Sequence, residues 1–296
     1  MRWLIAGAMA AVGCSLLVPS AVATITPPPT LTLVIISGQS NAVGFQSFVI
    51  DPKTHKNVFA EAGSSAADRR VLFTFQESGV QGGGLPPVAL DTPQKLSLTS
   101  SSIFGPEIGL SRYLYSTGHK NLLVVKVAFS GSSLAVDWAP GSKNLALLVT
   151  RVHQAVAWAR SNSWNPVIGG FYWMQGERDA TDASYAASYR KHLLQFINQI
   201  RHQLPLKSTR PFVIGQIDLA DFINFEVVHH LCSTKGCAGE KLWNAEVMKA
   251  QASVEGRYVL LAKTAKLPRY QDYLHLTDAA ELSLGKEFGI LSHSKI

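Results

Sequence analysis

The sequence of 296 residues contains no acidic or basic tract, no internal repeat and no low-complexity segment, and only 16% of its residues are charged. Its net charge of +7 is spread thinly. This thinly spread positive charge favours anionic surfaces or glycans only mildly. It lacks the concentrated basic patch of a nucleic-acid-binding protein, so that class of protein is excluded. With 47% hydrophobic residues, the chain can bury a complete core at the upper end of single-domain size. We therefore expect one globular domain and no nucleic-acid partner.

Cysteine is also scarce, with three residues in the chain. Cys14 lies in the apolar N-terminal stretch, whereas Cys232 and Cys237 are separated by Ser-Thr-Lys-Gly. In an oxidising compartment, such a close pair is expected to form a local disulfide that closes one loop. The neighbouring His229 and His230 raise the alternative of a metal site, but the spacing matches no standard zinc pattern. The disulfide is favoured, and no metal site is predicted.

The N-terminus has the pattern of a secretory signal. Arg2 precedes the apolar stretch Trp3–Val18, and small residues follow up to Ala23. We predict that residues 1–23 are a signal peptide and that the protein is exported, to the periplasm or beyond the cell. The apolar stretch is interrupted and is short for a membrane-spanning helix of about 20 residues, so no span is expected after cleavage. Lipid attachment at Cys14 is the weaker alternative, because alanine stands where bacterial lipoprotein signals usually have leucine.

After a stiff proline-rich lead-in at residues 24–30, short apolar runs alternate with longer segments of helical period. The predicted strands are Leu31–Ser37, Asn121–Ala128, Val167–Met174, Phe212–Ile217 and Tyr258–Ala262. The predicted helices are Gly105–Ser116, Asn144–Arg160, Ala183–Gln203, Glu240–Val254 and Thr277–Leu291. This alternation indicates an α/β fold, with a mainly parallel five-stranded sheet between two layers of helices. Ligands of such folds bind beyond the carboxyl ends of the strands.

One stretch of the predicted domain, which covers residues 31–296, is irregular. Residues 45–102 contain a glycine triplet, Gly82–Gly84, followed by two prolines and scattered serine and threonine. We expect an insertion of loops and a hairpin there. The glycine triplet lacks the Lys-Ser/Thr ending of a phosphate-binding loop.

Ser40 is the candidate nucleophile. The first predicted strand runs directly into Gly38-Gln39-Ser40-Asn41, and glycines on both sides allow a tight turn. A serine in this place can be held against backbone N–H donors, which an acyl-transfer reaction requires. The Gly-x-Ser-x-Gly elbow of the α/β-hydrolases is absent, so the signal is weak when it is taken alone.

Asp272 and His275 supply what a nucleophilic serine needs. They follow the fifth predicted strand, three residues apart on one loop. A histidine can take the serine proton, and an acid can fix its tautomer and stabilise the imidazolium. The alternative is a surface aspartate and a histidine at the entry of a helix capped by Thr277. The serine signal at the other end of the chain favours the catalytic interpretation.

Five blocks along residues 31–290 then resemble those of the SGNH-hydrolase superfamily. They are Gly38-Gln39-Ser40-Asn41, Ser102-Ile103-Phe104-Gly105-Pro106-Glu107, Lys126-Val127-Ala128-Phe129-Ser130-Gly131, Trp173-Met174-Gln175-Gly176-Glu177-Arg178-Asp179 and Asp272-Tyr273-Leu274-His275. The first and fourth blocks resemble the carbohydrate acetylesterase branch, which includes sialate O-acetylesterase domains and acetylxylan esterases. The resemblance implies the flavodoxin-like SGNH hydrolase fold, a three-layer α/β/α sandwich.

The resemblance also implies roles for single residues. Ser40 is the nucleophile, His275 the general base and Asp272 its orienting acid. The backbone N–H groups of Ser40 and Gly131 form the oxyanion hole, with the Gln175 amide as third donor. Ser130 stands where relatives often have a second glycine.

Four further residues are assigned auxiliary parts. Gln39 and Asn41 flank the nucleophile, and Trp138 is the candidate wall of a sugar pocket. Glu177 has three possible roles: steadying the hydrogen bonds of the site, serving as an alternative acid for His275, or capping the next helix without a catalytic role.

The sequence thus predicts a serine esterase that removes acetyl groups from a carbohydrate without metal or organic cofactor. Two alternatives stay open. One is a secreted glycan-binding module with an inactive site. The other is a glycoside hydrolase that uses Glu177 with Asp179 or Asp182. The glycan, the acetylated hydroxyl and the oligomeric state do not follow from the sequence.

Overall fold

The structure is a computed structural model that describes residues 27–49, 66–96, 102–219 and 242–296. The predicted signal peptide with Cys14 lies outside the described residues, as do Cys232, Cys237 and the neighbouring histidines. Much of the predicted insertion lies outside them as well. The signal peptide and the disulfide therefore stay predictions.

The described strands form two sheets. They are β1 (Thr30–Gly38), β2 (Leu72–Glu77), β3 (Val80–Gln81), β4 (Val88–Ala89), β5 (Gln94–Leu96), β6 (Ser102–Ile103), β7 (Leu122–Ala128), β8 (Asn165–Met174), β9 (Phe212–Gln216) and β10 (Val259–Lys263). The main sheet has seven strands in the order β10-β9-β8-β1-β7-β2-β4. Its strands are parallel except β4, which is antiparallel to β2. Strands β3, β5 and β6 form a small antiparallel sheet.

Helices cover both faces of the main sheet. They are α1 (Ser40–Val43), α2 (Ala66–Arg70), α3 (Glu107–Ser116), α4 (Lys143–Ser161), α5 (Ala183–Gln203), α6 (Asn244–Ala252) and α7 (Asp278–Ser292). Successive side chains of a strand point to opposite faces. Accordingly, Phe171 and Trp173 of β8 contact Phe196 of α5, whereas Tyr172 between them contacts Phe288 of α7. The predicted three-layer α/β/α fold is confirmed.

The strand count differs from the prediction. The sheet has seven strands and not five, because β2 and β4 come from the stretch that was expected to contain loops and a hairpin. Strand β2 pairs in parallel with β7, and its Phe73 and Phe75 are buried and stack with ring centroids 5.0 Å apart. The pairing with a fully buried neighbour turns a short apolar run among turn residues into a strand of the main sheet.

Side-chain caps fix the starts of two long helices near the carboxyl edge. Asp182 accepts hydrogen bonds from the backbone N–H groups of Ser184 (2.8 Å) and Tyr185 (3.0 Å) at the start of α5. Thr277 accepts from Ala280 at the start of α7, in the N-cap position that the sequence predicted. These caps satisfy donors that a helix leaves free. They hold the loops that precede α5 and α7 in place.

Candidate active site

The three central strands end side by side. Gly38 at the end of β1 pairs with Ala128 of β7 on one side and with Met174 of β8 on the other. Gly38 has a φ of 145°, and a Cβ there would overlap the carbonyl of Met174. Only glycine therefore lets β1 turn this close to its neighbour. The register brings the segments that follow the three strands to one edge of the sheet.

A cavity of about 350 Å³ lies at this edge. Its walls are formed by Gln39, Ser40, Phe45, Ser130, Gly131, Glu177, Arg178, Thr181, Leu219, Leu274 and His275. Ser40 and His275 thus line the same cavity although they lie at opposite ends of the domain sequence. Gln39, Gly131 and Glu177, which the sequence also singled out, line the same cavity.

His275 is held by Asp272 on the same loop. Its Nδ1 lies 2.6 Å from Oδ2 of Asp272, while Oδ1 accepts from the backbone N–H groups of Leu274 (3.0 Å) and His275 (2.9 Å). Burial raises the pKa of Asp272, but these hydrogen bonds outweigh it and hold the pKa below its usual value. With Nδ1 bound to a carboxylate, Nε2 is the ring nitrogen left to take a proton. The Phe45 ring packs against the imidazole, with centroids 5.0 Å apart.

Two backbone N–H groups in the cavity wall have no acceptor in the described part of the chain. They belong to Ser40 and Gly131. The neighbouring Ser130, in contrast, donates its N–H to the hydroxyl of Ser78 at 2.8 Å. Gly131 has a φ of 69°, which glycine adopts without strain. Unpaired donors at the place of reaction are what an oxyanion hole requires.

Gln175 does not join them, contrary to the prediction of a third donor. Its side chain is fully buried and is absent from the cavity wall. Its Nε2 donates to the carbonyl of Ser132 (3.0 Å) and to Oδ2 of Asp179 (2.6 Å), and its Oε1 accepts from Tyr189 (3.0 Å). Both amide hydrogens are therefore committed inside the protein. Gln175 fastens the turn after β8 to the loop after β7.

Trp138 is not a wall of the cavity either, so that prediction is wrong. It is 1% exposed and packs against Phe129, Trp173 and Phe196. Its Nε1 donates to the hydroxyl of Ser132 at 2.8 Å. A tryptophan whose N–H has an internal acceptor is a stable core residue. Through its hydrogen bond to Ser132, Trp138 attaches the loop that carries Gly131 to the core.

Asn41 connects the segments that carry the candidate nucleophile and base. Its Nδ2 donates to Oε1 of Glu177 (2.8 Å) and to the carbonyl of Leu274 (3.3 Å), and its Oδ1 accepts from the N–H of Leu276 (3.0 Å). Leu274 and Leu276 are the residues on either side of His275. Sequence analysis placed Asn41 in the motif but did not assign it this bridge, because the contacts reach across more than 200 residues.

Glu177 is part of the cavity wall but is almost fully buried. Burial raises the pKa of its carboxyl, and the hydrogen bonds from its own backbone and from Asn41 offset this only in part. Its Oε2 has no hydrogen-bond partner in the described ranges. The structure therefore places Glu177 against Asn41 and not in a hydrogen bond with His275.

Gln39 and Asp179 fix two further segments at this edge. Oε1 of Gln39 accepts from the backbone N–H groups of Gly176 (3.4 Å) and Arg178 (3.2 Å). Asp179 accepts from the N–H groups of Leu134 and Ala135, and it is fully buried outside the cavity. A glycoside hydrolase that pairs Glu177 with Asp179 is not supported, because Asp179 cannot reach a sugar in the cavity.

Sequence analysis assigned no role to four residues of the cavity wall, which are Phe45, Arg178, Thr181 and Leu219. Arg178 stands in the fourth sequence block, but nothing in that block distinguishes it from an ordinary surface residue. As for metals, no three His, Cys, Asp or Glu side chains within the described ranges converge so that they could hold an ion. None of the helices described there is long and apolar enough to cross a membrane.

A three-layer α/β/α fold with this cavity at the carboxyl edge is the architecture of SGNH-like hydrolases. The family itself follows from the sequence match. The model of the family "Carbohydrate esterase, sialic acid-specific acetylesterase" matches residues 30–291, and the chain belongs to that family. The predicted carbohydrate acetylesterase branch is thereby confirmed.

A curated relative is consistent with this family assignment. A probable carbohydrate esterase of Arabidopsis thaliana is 25% identical over 156 residues, which are 53% of this chain and 50% of the relative. The chain thus matches about half the length of this curated relative.

Three solved structures share the fold. An Arabidopsis thaliana protein aligns with a TM-score of 0.60 at 20% identity, over 89% of this chain and 98% of that one. NanS aligns with 0.62 at 14% identity, over 90% and 98%. A carbohydrate acetylesterase from Xanthomonas citri aligns with 0.56 at 16% identity, over 88% and 55%. At these identities the likeness is one of fold.

Proposed function

We propose that this protein is an exported serine esterase that hydrolyses O-acetyl esters of a carbohydrate through an acetyl-enzyme intermediate. One observation carries the proposal: Ser40 and His275 line one cavity, and Nδ1 of His275 lies 2.6 Å from Asp272. The family match supports action on an acetylated sugar.

The first half of the reaction forms the acetyl-enzyme. Nε2 of His275 takes the proton of the Ser40 hydroxyl, and the serine oxygen attacks the acetyl carbonyl. The N–H groups of Ser40 and Gly131 stabilise the oxyanion of the tetrahedral intermediate. His275 then gives the proton to the sugar oxygen, and the carbon–oxygen bond to the sugar breaks.

The second half regenerates the enzyme. Water replaces the sugar, His275 takes one of its protons, and the resulting hydroxide attacks the acetyl group on Ser40. Collapse of the second tetrahedral intermediate releases acetate and returns the proton to the serine oxygen. Asp272 keeps the proton of His275 on Nδ1 throughout and stabilises the imidazolium that forms in each half.

Released acetate and reducing ends separate this function from the two alternatives. The unmodified protein, Ser40→Ala and the exposed-serine control Ser283→Ala are incubated with acetylated and deacetylated glycans. We expect acetate from the unmodified protein and the control, and a loss of roughly 10,000-fold or more in Ser40→Ala. Reducing ends that persist in Ser40→Ala would indicate a glycosidase. Binding of the glycans without any acetate would indicate a binding module.

Export is the second part of the proposal, and it rests on the sequence pattern of residues 1–23. Expression of the full chain in a bacterial host, followed by fractionation and N-terminal sequencing, tests it. A mature protein that begins at Thr24 outside the cytoplasm supports signal cleavage. A lipid-modified N-terminus at Cys14, or an intact N-terminus in the cytoplasm, contradicts it.

A further inference from the structure

The loop that carries Gly131 is a tight turn. The carbonyl of Phe129 accepts from the backbone N–H of Ser132 (3.3 Å) and from its hydroxyl (2.6 Å), which closes a four-residue β-turn. Ser130 and Gly131 are the two central residues, and the φ of 69° at Gly131 matches the third position of a type II turn. The peptide between these two residues carries the N–H of Gly131, one of the two candidate oxyanion donors.

The direction of that N–H depends on the type of turn. Types I and II share a first central φ of about −60°, but they differ by about 150° in the following ψ and by about 170° in the second central φ. The central peptide is therefore reversed between the two types. Glycine adopts either conformation without strain, so the N–H of Gly131 is not fixed by the residues of the turn alone. Contacts from outside the turn are what can hold this peptide in one orientation.

Ser78 makes such a contact. Its hydroxyl oxygen accepts the N–H of Ser130 at 2.8 Å. The peptide between Phe129 and Ser130 is thus held at both ends, since its carbonyl accepts from Ser132 and its N–H donates to Ser78. Holding this peptide fixes the point from which the next one starts, and the next one carries the N–H of Gly131.

The other side-chain contacts of the loop act on its opposite end. Trp138 donates to the hydroxyl of Ser132, and Gln175 donates to its carbonyl. Ser132 is the residue after Gly131. In the part of the chain that the structure describes, Ser78 provides the one side chain that is hydrogen-bonded to the residue before Gly131. The two sides of the candidate oxyanion donor are therefore held by different elements.

Strand β2 fixes the position of Ser78. Glu77, the last residue of β2, pairs with Ala128 of β7, and the backbone N–H of Ser78 continues this ladder to the carbonyl of Ala128 at 3.2 Å. The Glu77 carboxyl lies 2.8 Å from Nζ of Lys126 in the core. These contacts bring the Ser78 hydroxyl to the loop that follows β7. A strand beyond the five expected ones thereby reaches the candidate oxyanion hole.

We propose that Ser78 positions the backbone N–H of Gly131 for the oxyanion and so raises the rate of acyl transfer. The inference rests on the proposed esterase function and adds a residue to it. Ser78 is not among the residues that line the cavity. It is therefore a positioning residue, which acts through Ser130.

Three variants test this role by the release of acetate from O-acetylated N-acetylneuraminic acid, an acetylated xylo-oligosaccharide and 4-nitrophenyl acetate. Ser78→Ala removes the hydroxyl, Ser78→Thr keeps it, and Ser283→Ala removes a hydroxyl from an exposed hydrogen bond of α7. In Ser78→Ala we expect kcat to fall by about 10- to 100-fold while KM changes little. The loss is smaller than the roughly 100- to 1,000-fold cost of a missing oxyanion donor, because the N–H of Gly131 is still present. Ser78→Thr and Ser283→Ala should keep most of the activity.

Two inhibitors separate the oxyanion from the ground state. Trifluoroacetone bonds through its carbonyl carbon to the Ser40 oxygen, whose proton passes to His275, and the resulting tetrahedral adduct carries its negative charge on the former carbonyl oxygen. The deacetylated sugar has lost the carbonyl that the oxyanion hole binds. In Ser78→Ala the Ki for trifluoroacetone should rise by about the factor by which kcat falls, and the Ki for the deacetylated sugar should stay the same. A Ki does not depend on the folded fraction of the protein, so a loss of stability alone changes neither value.

The outcomes separate this inference from the function on which it rests. If Ser78→Ala keeps the kcat and the Ki for trifluoroacetone of the unmodified protein, or if Ser78→Thr loses as much as Ser78→Ala, the inference is overturned and the esterase stands. A Ki for the deacetylated sugar that rises as much as that for trifluoroacetone overturns it as well, because Ser78 then shapes the whole cavity. If the unmodified protein releases no acetate from any of the three substrates, the proposed function falls and takes the inference with it.

Discussion

The side-chain oxygen of Asn41 accepts a 3.0 Å hydrogen bond from the backbone N–H of Leu276. The residue after the candidate nucleophile thereby holds the residue after the candidate base. The same side chain donates to the carbonyl of Leu274 on the other side of His275 and to Glu177. One fully buried amide therefore sets the distance between two segments that are separated by more than 200 residues.

We expect Asn41→Ala to lower kcat by about 100-fold while KM changes little, because a shift of about 1 Å in a reacting group can cost that much. The free energy of unfolding should also fall by about 1–3 kcal/mol, since the N–H of Leu276 loses its acceptor. Steady-state kinetics and urea denaturation measure the two effects. Asn198→Ala, at an exposed position of α5, is the control. An Asn41→Ala enzyme with normal kcat but reduced stability would show that Asn41 has only a structural role.

The strands of the main sheet differ in how well the sequence predicts them. The five expected strands appear, because runs such as Leu122–Ala128 are continuously apolar but for Lys126 and are buried along their whole length. Strand β2 was missed because Leu72–Glu77 mixes Thr, Gln and Glu with its apolar residues, and only its pairing with β7 explains the burial of Thr74.

The residues of the candidate site differ in the same way: some are predicted by the sequence and others are not. The motif and chain order were sufficient to place Ser40, Gly131 and His275 at one edge of the sheet, because parallel strands bring their carboxyl ends together. The role of Gln175 depends instead on Ser132, 43 residues away, and on Asp179. Such side-chain contacts are properties of packing, and no spacing rule encodes them.

Glu177 tests whether a negative charge is needed next to Asn41. Its raised pKa favours the uncharged acid, and a glutamine can accept the Asn41 hydrogen bond equally well. We therefore expect Glu177→Gln to keep kcat within about tenfold, which is the worth of one perturbed hydrogen bond. Glu177→Ala should lose more, because one N–H of the buried Asn41 amide then loses its acceptor and only the longer bond to the carbonyl of Leu274 remains. A loss in Glu177→Gln as large as in Ser40→Ala would instead assign Glu177 a charged, catalytic role; Glu255→Gln, at an exposed site, is the control.

Asp272→Asn should lower kcat by roughly 100- to 10,000-fold, because the amide cannot hold the proton of His275 on Nδ1 as a carboxylate does. The native pKa of Asp272 is depressed, so the charged group stabilises the fold above its unfolded pKa and loses that effect as pH falls through the native pKa. The stability advantage of the unmodified protein over Asp272→Asn should therefore be larger at pH 7 than at pH 3. Urea denaturation at both pH values measures it, with Asp91→Asn as the control. An advantage that grew towards acid would contradict the pairing with His275.

Lys126 is a buried cation that contacts the end of α1, the helix that begins at Ser40. Its Nζ donates to the carbonyl of Val43 at the end of α1 (2.9 Å) and lies 2.8 Å from Glu77 and 2.9 Å from Glu107, with all three charged side chains fully buried. Lys126→Met would leave two carboxyl groups without their cation, which costs about 3–5 kcal/mol in comparable buried pairs. Lys191→Met, at an exposed position of α5, should be neutral.

The pH dependence of Lys126→Met follows from the same charges. Burial raises the pKa of Glu77 to about 8 even with Lys126 present, although the Lys126 charge lowers it in part. Without Lys126 the native pKa must rise further, so the native state of the variant holds a proton that the unfolded chain releases above about pH 4.5. The stability of both proteins should therefore fall between about pH 5 and pH 8, but that of Lys126→Met should fall more steeply between about pH 8 and pH 10, where Glu77 of the unmodified protein has already released its proton. Unfolding by urea across this range measures the two slopes. Parallel slopes would mean that Lys126 does not govern the protonation of Glu77.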